Sequence, residues 1–114
     1  MPLLRPTPGE IYDRLSILEL KQKHGWQQHF HDEIKDLLAY FQDNYRPTIE
    51  NSFPEALAYI NGALWELEDS VRLDPTLDDY KAITRLNDER QGTIRHINRV
   101  FGCDRIEKLY KEPR

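Results

Sequence analysis

The sequence predicts an all-α protein: a bundle of about four amphipathic helices, with a short extended N-terminal arm and a short C-terminal helix. Three observations carry this. Apolar residues recur at spacings of three and four along four separate stretches, which is the period of a helix with one buried face. Helix-start residues precede those stretches, and Gly or Pro follows them. The composition, 39% hydrophobic and 32% charged with mean hydropathy of -0.77, is that of slim helices with solvated outer faces. Two Trp, six Tyr and four Phe set it apart from a disordered chain.

Pro2 and Pro6 restrict themselves and the residues before them, so 1–6 reads as an extended arm. Thr7, Pro8 and Glu10 then form a T-x-x-E capping box, with proline at the tolerated first helical position. The first helix is expected over 8–24, stopped by Gly25. At roughly 100° per residue, Ile11, Leu15 and Leu18 share one face, while Asp13, Ile17, Leu20 and His24 line another. Two stripes on one helix call for partners on two sides.

Residues 27–45 predict a second helix with Phe30, Ile34, Leu37, Leu38, Phe41 and Tyr45 on its core stripe, ending before Pro47. Residues 46–51 read as a loop. Ser52 and Glu55 repeat the capping pattern, and 53–73 carries the cleanest periodicity, Leu57, Ile60, Leu64, Leu67 and Val71. That seam suits antiparallel bundle packing or a dimer contact. Beside it runs a flanking stripe of Asn61, Trp65, Glu68 and Arg72. Asp74 and Pro75 break the chain, and Thr76 with Asp79 restarts it as a helix over 77–101 ending at Gly102. Its core face is Ile83, Leu86, Ile94, Ile97 and Phe101, interrupted by Asn87 and Arg90. Asp104 with Glu107 can cap a last short helix ending near Tyr110. There is no internal repeat.

At 114 residues the chain predicts a single domain, 1–114. A net charge of -4 gives no electrostatic reason to bind nucleic acid or acidic lipid. The one cysteine, Cys103, has no internal partner, which fits a reducing compartment. No apolar run approaches the roughly 20 residues of a membrane span, and the first six residues do not read as a signal peptide. The expected location is the cytoplasm.

Polar residues inside apolar stripes hold the functional interest, because a buried charge is costly unless paired and hydrogen-bonded. Asp13, Asn61, Trp65, Glu68, Asn87 and Arg90 gather on three helices predicted to pack together. Arg90 can meet Asp13 or Glu68 as a bidentate pair, with the Asn side chains serving leftover lone pairs. Such a cluster is either a core network that fixes helix register or a ligand site between bundle helices. The histidines His24, His29, His31 and His96 lack metal-ligand spacing, so no metal or other cofactor is expected from them. Cys103 follows a helix C-terminus, which disfavours a thiolate.

Two enzyme patterns were tested against these residues. All-α nucleotide pyrophosphohydrolases hold Mg²⁺ with paired acidic motifs on helices. Glu66-x-x-Asp69 resembles one half and Glu10-x-x-Asp13 loosely the other, yet Glu66 points away from the seam and Glu10 serves a cap. Small helical chorismate mutases share the opening Ile11-Tyr12-Asp13-Arg14-Leu15, but they use several inward cations where this chain offers Arg90.

A broader resemblance lies in three blocks. They are Gly9-Glu10-Ile11 with Asp13-Arg14-Leu15-Ser16-Ile17-Leu18-Glu19-Leu20-Lys21; Asn61 with Ala63-Leu64-Trp65-Glu66-Leu67-Glu68-Asp69; and Asn87-Asp88-x-Arg90 with Ile94-Arg95-x-Ile97-Asn98. These blocks resemble an uncharacterised family of small helical proteins from bacteria and their phages, a domain of unknown function. The resemblance implies no established activity, and the stretch 25–52 departs from it. The leading expectation is a non-enzymatic interaction or assembly module working as a homodimer through the first helix or the 53–73 seam. The alternative is a small-molecule-binding or metal-dependent nucleotide-hydrolysing enzyme, with Mg²⁺ entering only there.

Overall fold

The computed structural model describes residues 5–26, 30–45 and 52–103. Four helices follow in order: α1 (Pro8–Lys23), α2 (His31–Asn44), α3 (Ser52–Leu73) and α4 (Leu77–Val100), with no strand among the described residues. The expected beginnings of the arm and of the second helix, the 46–51 loop and the helix after Gly102 lie outside the described residues. No helix among those described is long and apolar enough to cross a membrane.

The helix ends follow from local chemistry. Thr7 Oγ1 accepts from the Glu10 amide at 3.3 Å, and Glu10 Oε1 accepts from the Thr7 amide at 2.9 Å, so two orphan donors are served reciprocally. Both α1 and α4 end on a glycine at φ 77, Gly25 and Gly102. At each, two successive amides fold back onto the last turn: Gly25 to Gln22 O and Trp26 to Lys21 O, then Gly102 to Arg99 O and Cys103 to Asn98 O. This is the paired-bond stop that a left-handed glycine permits. At α1 it fixes the backbone of Trp26 against the helix end.

α3 and α4 form an antiparallel hairpin across the short turn at 74–76. The first half of α3 meets the second half of α4 in a cluster of Phe53, Leu57, Ile94 and Ile97, with Tyr12 and Phe101 packed against it. The second half of α3 meets the first half of α4 through Ile60, Leu64 and Leu86. α1 lies on one face of this hairpin and buries Ile11 and Leu18 there. The α3 seam is therefore spent within the chain, and its Leu57 and Leu64 are not available to a second subunit.

α2 packs on α1 and buries none of its own residues. Its stripe is half-buried at Ile34, Leu37 and Phe41, and Leu38 stands exposed; only Phe30, just before the helix, is buried. Edge-on ring contacts hold it, Phe41 meeting Tyr12 and Phe101 with centroids 5.5 Å apart in each case. Arg14 adds a bidentate bond to Glu33, at 2.6 and 3.1 Å.

Gly9, within the first turn of α1, is fixed by a close approach to α4. It lacks positive φ, and a Cβ there would lie 2.5 Å from the Ile94 carbonyl oxygen and 2.9 Å from Asn98 Oδ1. Its amide donates to Asn98 Oδ1 at 2.8 Å. The first turn of α1 thus rests on the α4 backbone, and only glycine allows that approach.

Candidate functional site

The face that α1 turns toward the hairpin carries one acid. Asp13 is 7% exposed and meets Arg90 from α4 in a two-point pair, Arg90 Nε donating to Oδ1 at 2.8 Å and Nη2 to Oδ2 at 2.6 Å. Asn61 of α3 donates from Nδ2 to the same Oδ1 at 2.9 Å and to Ser16 Oγ at 2.6 Å. Ser16 in turn donates its hydroxyl to the Asp13 carbonyl at 2.8 Å. One residue from each of three helices therefore meets at a single carboxylate. The bond to Asp13 holds the Arg90 guanidinium above its already high pKa; burial opposes this, while the charges of Asp13 and, more weakly, Glu68 reinforce it. No buried side-chain nitrogen or oxygen among the described residues lacks a partner.

Outside this network lies a cleft of about 350 Å³ between α1, α3 and α4. Of the six residues singled out in the sequence, Asn61, Trp65, Glu68, Asn87 and Arg90 line it, and Asp13 stands behind Arg90. Glu68 and Asn87 are exposed at its edge, which removes them from the buried network. Glu68 lies about two turns along α3 from Asn61 on the same stripe, and Arg90 closes on Asp13 instead of Glu68. Comparison of the chain with family models, curated proteins and solved structures finds no match.

The cleft also recruits Trp26 and Lys21, which spacing alone did not mark. Trp26 joins Trp65 with ring centroids 6.0 Å apart at 60°, and His24 stacks on Trp65 at 4.5 Å. The Lys21 ammonium sits 4.9 Å from the centre of the Trp26 ring. Leu20 and Leu64 add apolar wall. Two further polar residues were missed. Ser16 is buried three positions after Asp13, and Asn98 is 2% exposed, four after Ile94 on the same stripe. Each lies on an apolar face at helical spacing, a signal that a small polar side chain carries quietly.

The four acids of the pyrophosphohydrolase pattern do not fit a shared Mg²⁺. Glu10 is committed to the Thr7 cap, Asp13 to Arg90 and Asn61, and Asp69 to Arg72, while Glu66 is exposed. The chorismate mutase pattern fares no better, because the inward cation has its own buried anion.

Proposed function

We propose that this chain is a non-enzymatic interaction module whose recognition element is the cleft between α1, α3 and α4. The observation that carries this is the closure of Asp13. Both of its oxygens are engaged by Arg90, and one also by Asn61, so the buried acid is held behind Arg90 and is not presented to the cleft. General acid–base catalysis needs a carboxyl that is free to reach substrate. What the cleft offers instead is indole surface, a cation and amide groups, which bind. A thermal-shift screen against nucleotides, sugar nucleotides and divalent metals tests the reading, since a ligand specific for the folded state raises stability by mass action. Stabilisation with the ligand recovered unchanged supports a module; conversion of any stabilising ligand into product overturns it.

We read the working unit as a cytoplasmic homodimer. With the α3 seam occupied, the first helix stays open as a contact, and a further face for a second copy is the side of the hairpin lined by α3 and α4 alone. There a shallow groove of about 540 Å³ runs between Phe53, Ala56, Ile60 and Gly92, flanked by Tyr59 at 76% exposure. Sedimentation at micromolar concentration is expected to show a dimer that Tyr59→Glu dissociates; a monomer throughout refutes it.

A further inference from the structure

The bonding inside the network dictates which atoms are left for the cleft. Asp13 Oδ1 can only accept, and Ser16 Oγ has already given its proton to the Asp13 carbonyl. Both groups facing the Asn61 amide are therefore acceptors, which fixes the amide's orientation: Nδ2 points inward and Oδ1 is the outward atom. Asn61 is 94% buried by its 6% exposure, yet Oδ1 accepts no hydrogen bond within the described residues. Since no fully enclosed polar atom there lacks a partner, Oδ1 opens to solvent, and Asn61 lines the cleft. Arg90 lines the same wall and spends only its Nε–Nη2 edge on Asp13, leaving the Nη1 donors. An acceptor and a set of donors thus stand on one wall, beside the two indoles.

From this we infer that the cleft takes a planar ring with a lactam edge, the adjoining N–H and C=O of a uracil, guanine or hypoxanthine base. The ring N–H donates to Asn61 Oδ1, the neighbouring carbonyl accepts from Arg90, and the ring face rests on Trp65 while its edge meets Trp26, the two indoles standing at 60°. Arg90 and Arg72 each have a carboxylate partner, and Lys21 is balanced by Glu68. The lining is thus close to neutral, which suits a nucleoside better than a polyphosphate. A volume of about 350 Å³ is at the small end of the ~300–1,000 Å³ typical of ligand pockets.

This assignment rests on the cleft being the recognition site, and the test separates the two. Both tryptophans of the chain line the cleft, so all of its indole fluorescence reports from there. Uridine and guanosine are titrated by calorimetry and fluorescence beside 3-methyluridine and 1-methylguanosine, whose ring N–H is blocked. The parents are expected to bind and quench, and the methylated analogues to bind at least ~10-fold more weakly, because a site built for a hydrogen bond rejects a ligand that lacks it. Trp65→Leu, with helicity checked by circular dichroism, is expected to abolish binding, and Trp26→Ala to weaken it. Methylated analogues binding as well as their parents overturns the lactam assignment alone. So does silence from every nucleoside while another stabilising molecule quenches both indoles. Nucleoside binding that leaves the fluorescence and the Trp65→Leu titration unchanged overturns the cleft as the site, and the proposed function with it.

Discussion

Replacing Arg90 by Met strands the Asp13 carboxylate under α1. The acid keeps one bond from Asn61 and loses both from the guanidinium. Breaking a buried ion pair on one side costs ~3–5 kcal/mol. With 27% of the Arg90 side chain open to solvent, about 3 kcal/mol is the expected figure. Adding Asp13→Leu removes the stranded charge and fills the space with apolar atoms. What remains is one Asn61 N–H without its acceptor, a cost of about 1–2 kcal/mol. The double variant is thus expected to be more stable than Arg90→Met alone by roughly 1–2 kcal/mol, and the cycle to show coupling of about 3 kcal/mol. Urea unfolding followed by helical circular dichroism at pH 7 measures all four corners. On a domain of this size each 1 kcal/mol moves Tm by about 4 °C, so the single substitution alone lowers it by about 12 °C. Equal stability of the single and double variants, or a strictly additive cycle, refutes the pairing as the organising contact of the core.

Gly9→Ala is expected to destabilise by about 1–3 kcal/mol, because the added carbon meets the α4 backbone, and thermal unfolding reads it. Asn98→Leu leaves the Gly9 amide without its acceptor and is expected to cost about 1–3 kcal/mol by urea titration; a neutral result removes Asn98 as the cap of α1. Acid is expected to loosen α2 first. The bond from Arg14 holds the Glu33 carboxyl below its ordinary pKa, so its contribution is complete above the ordinary carboxylate value and is lost as pH falls through the depressed one. The pair is more than a third exposed, so the effect is under about 1 kcal/mol, and it disappears in Arg14→Ala when hydrogen exchange of α2 is compared at pH 3 and pH 7.

Element positions were the most legible part of this sequence, since each described helix falls within a few residues of the span that its period and end residues mark. The Asp13–Arg90 pair was legible too, because a charge on an apolar stripe has few affordable fates. The depth of each stripe was not. α2 has the apolar period of a core helix, yet the one helix it packs along is α1, with Phe101 touching its end, and how many partners a helix acquires is decided by the rest of the chain. Glu68 and Asn87 were placed with the network because helical spacing tells which side of a helix a residue faces, while burial also changes along the helix, as between Asn61 and Glu68 on one stripe. Asn98 and Gly9 escaped because their roles exist only toward each other, across most of the sequence.

That last contact governs the order in which the molecule can become itself. Gly9 and Asn98 stand 89 positions apart, and Asp13 and Arg90 stand 77 apart. Of the described helices, α1 is therefore the first to be synthesised and the last to be finished, since its buried amide and buried acid both wait for residues on α4. At ~5–20 residues per second of synthesis, that wait is roughly 5–20 s. Through it, α1 is held by little beyond its own Thr7–Glu10 cap and marginal intrinsic helicity. Closing so long a loop comes late in refolding as well. In pulse-labelled hydrogen exchange the Gly9 amide is expected to gain protection only when the α3–α4 hairpin has already formed; earlier protection would place the ends of the chain together before its middle.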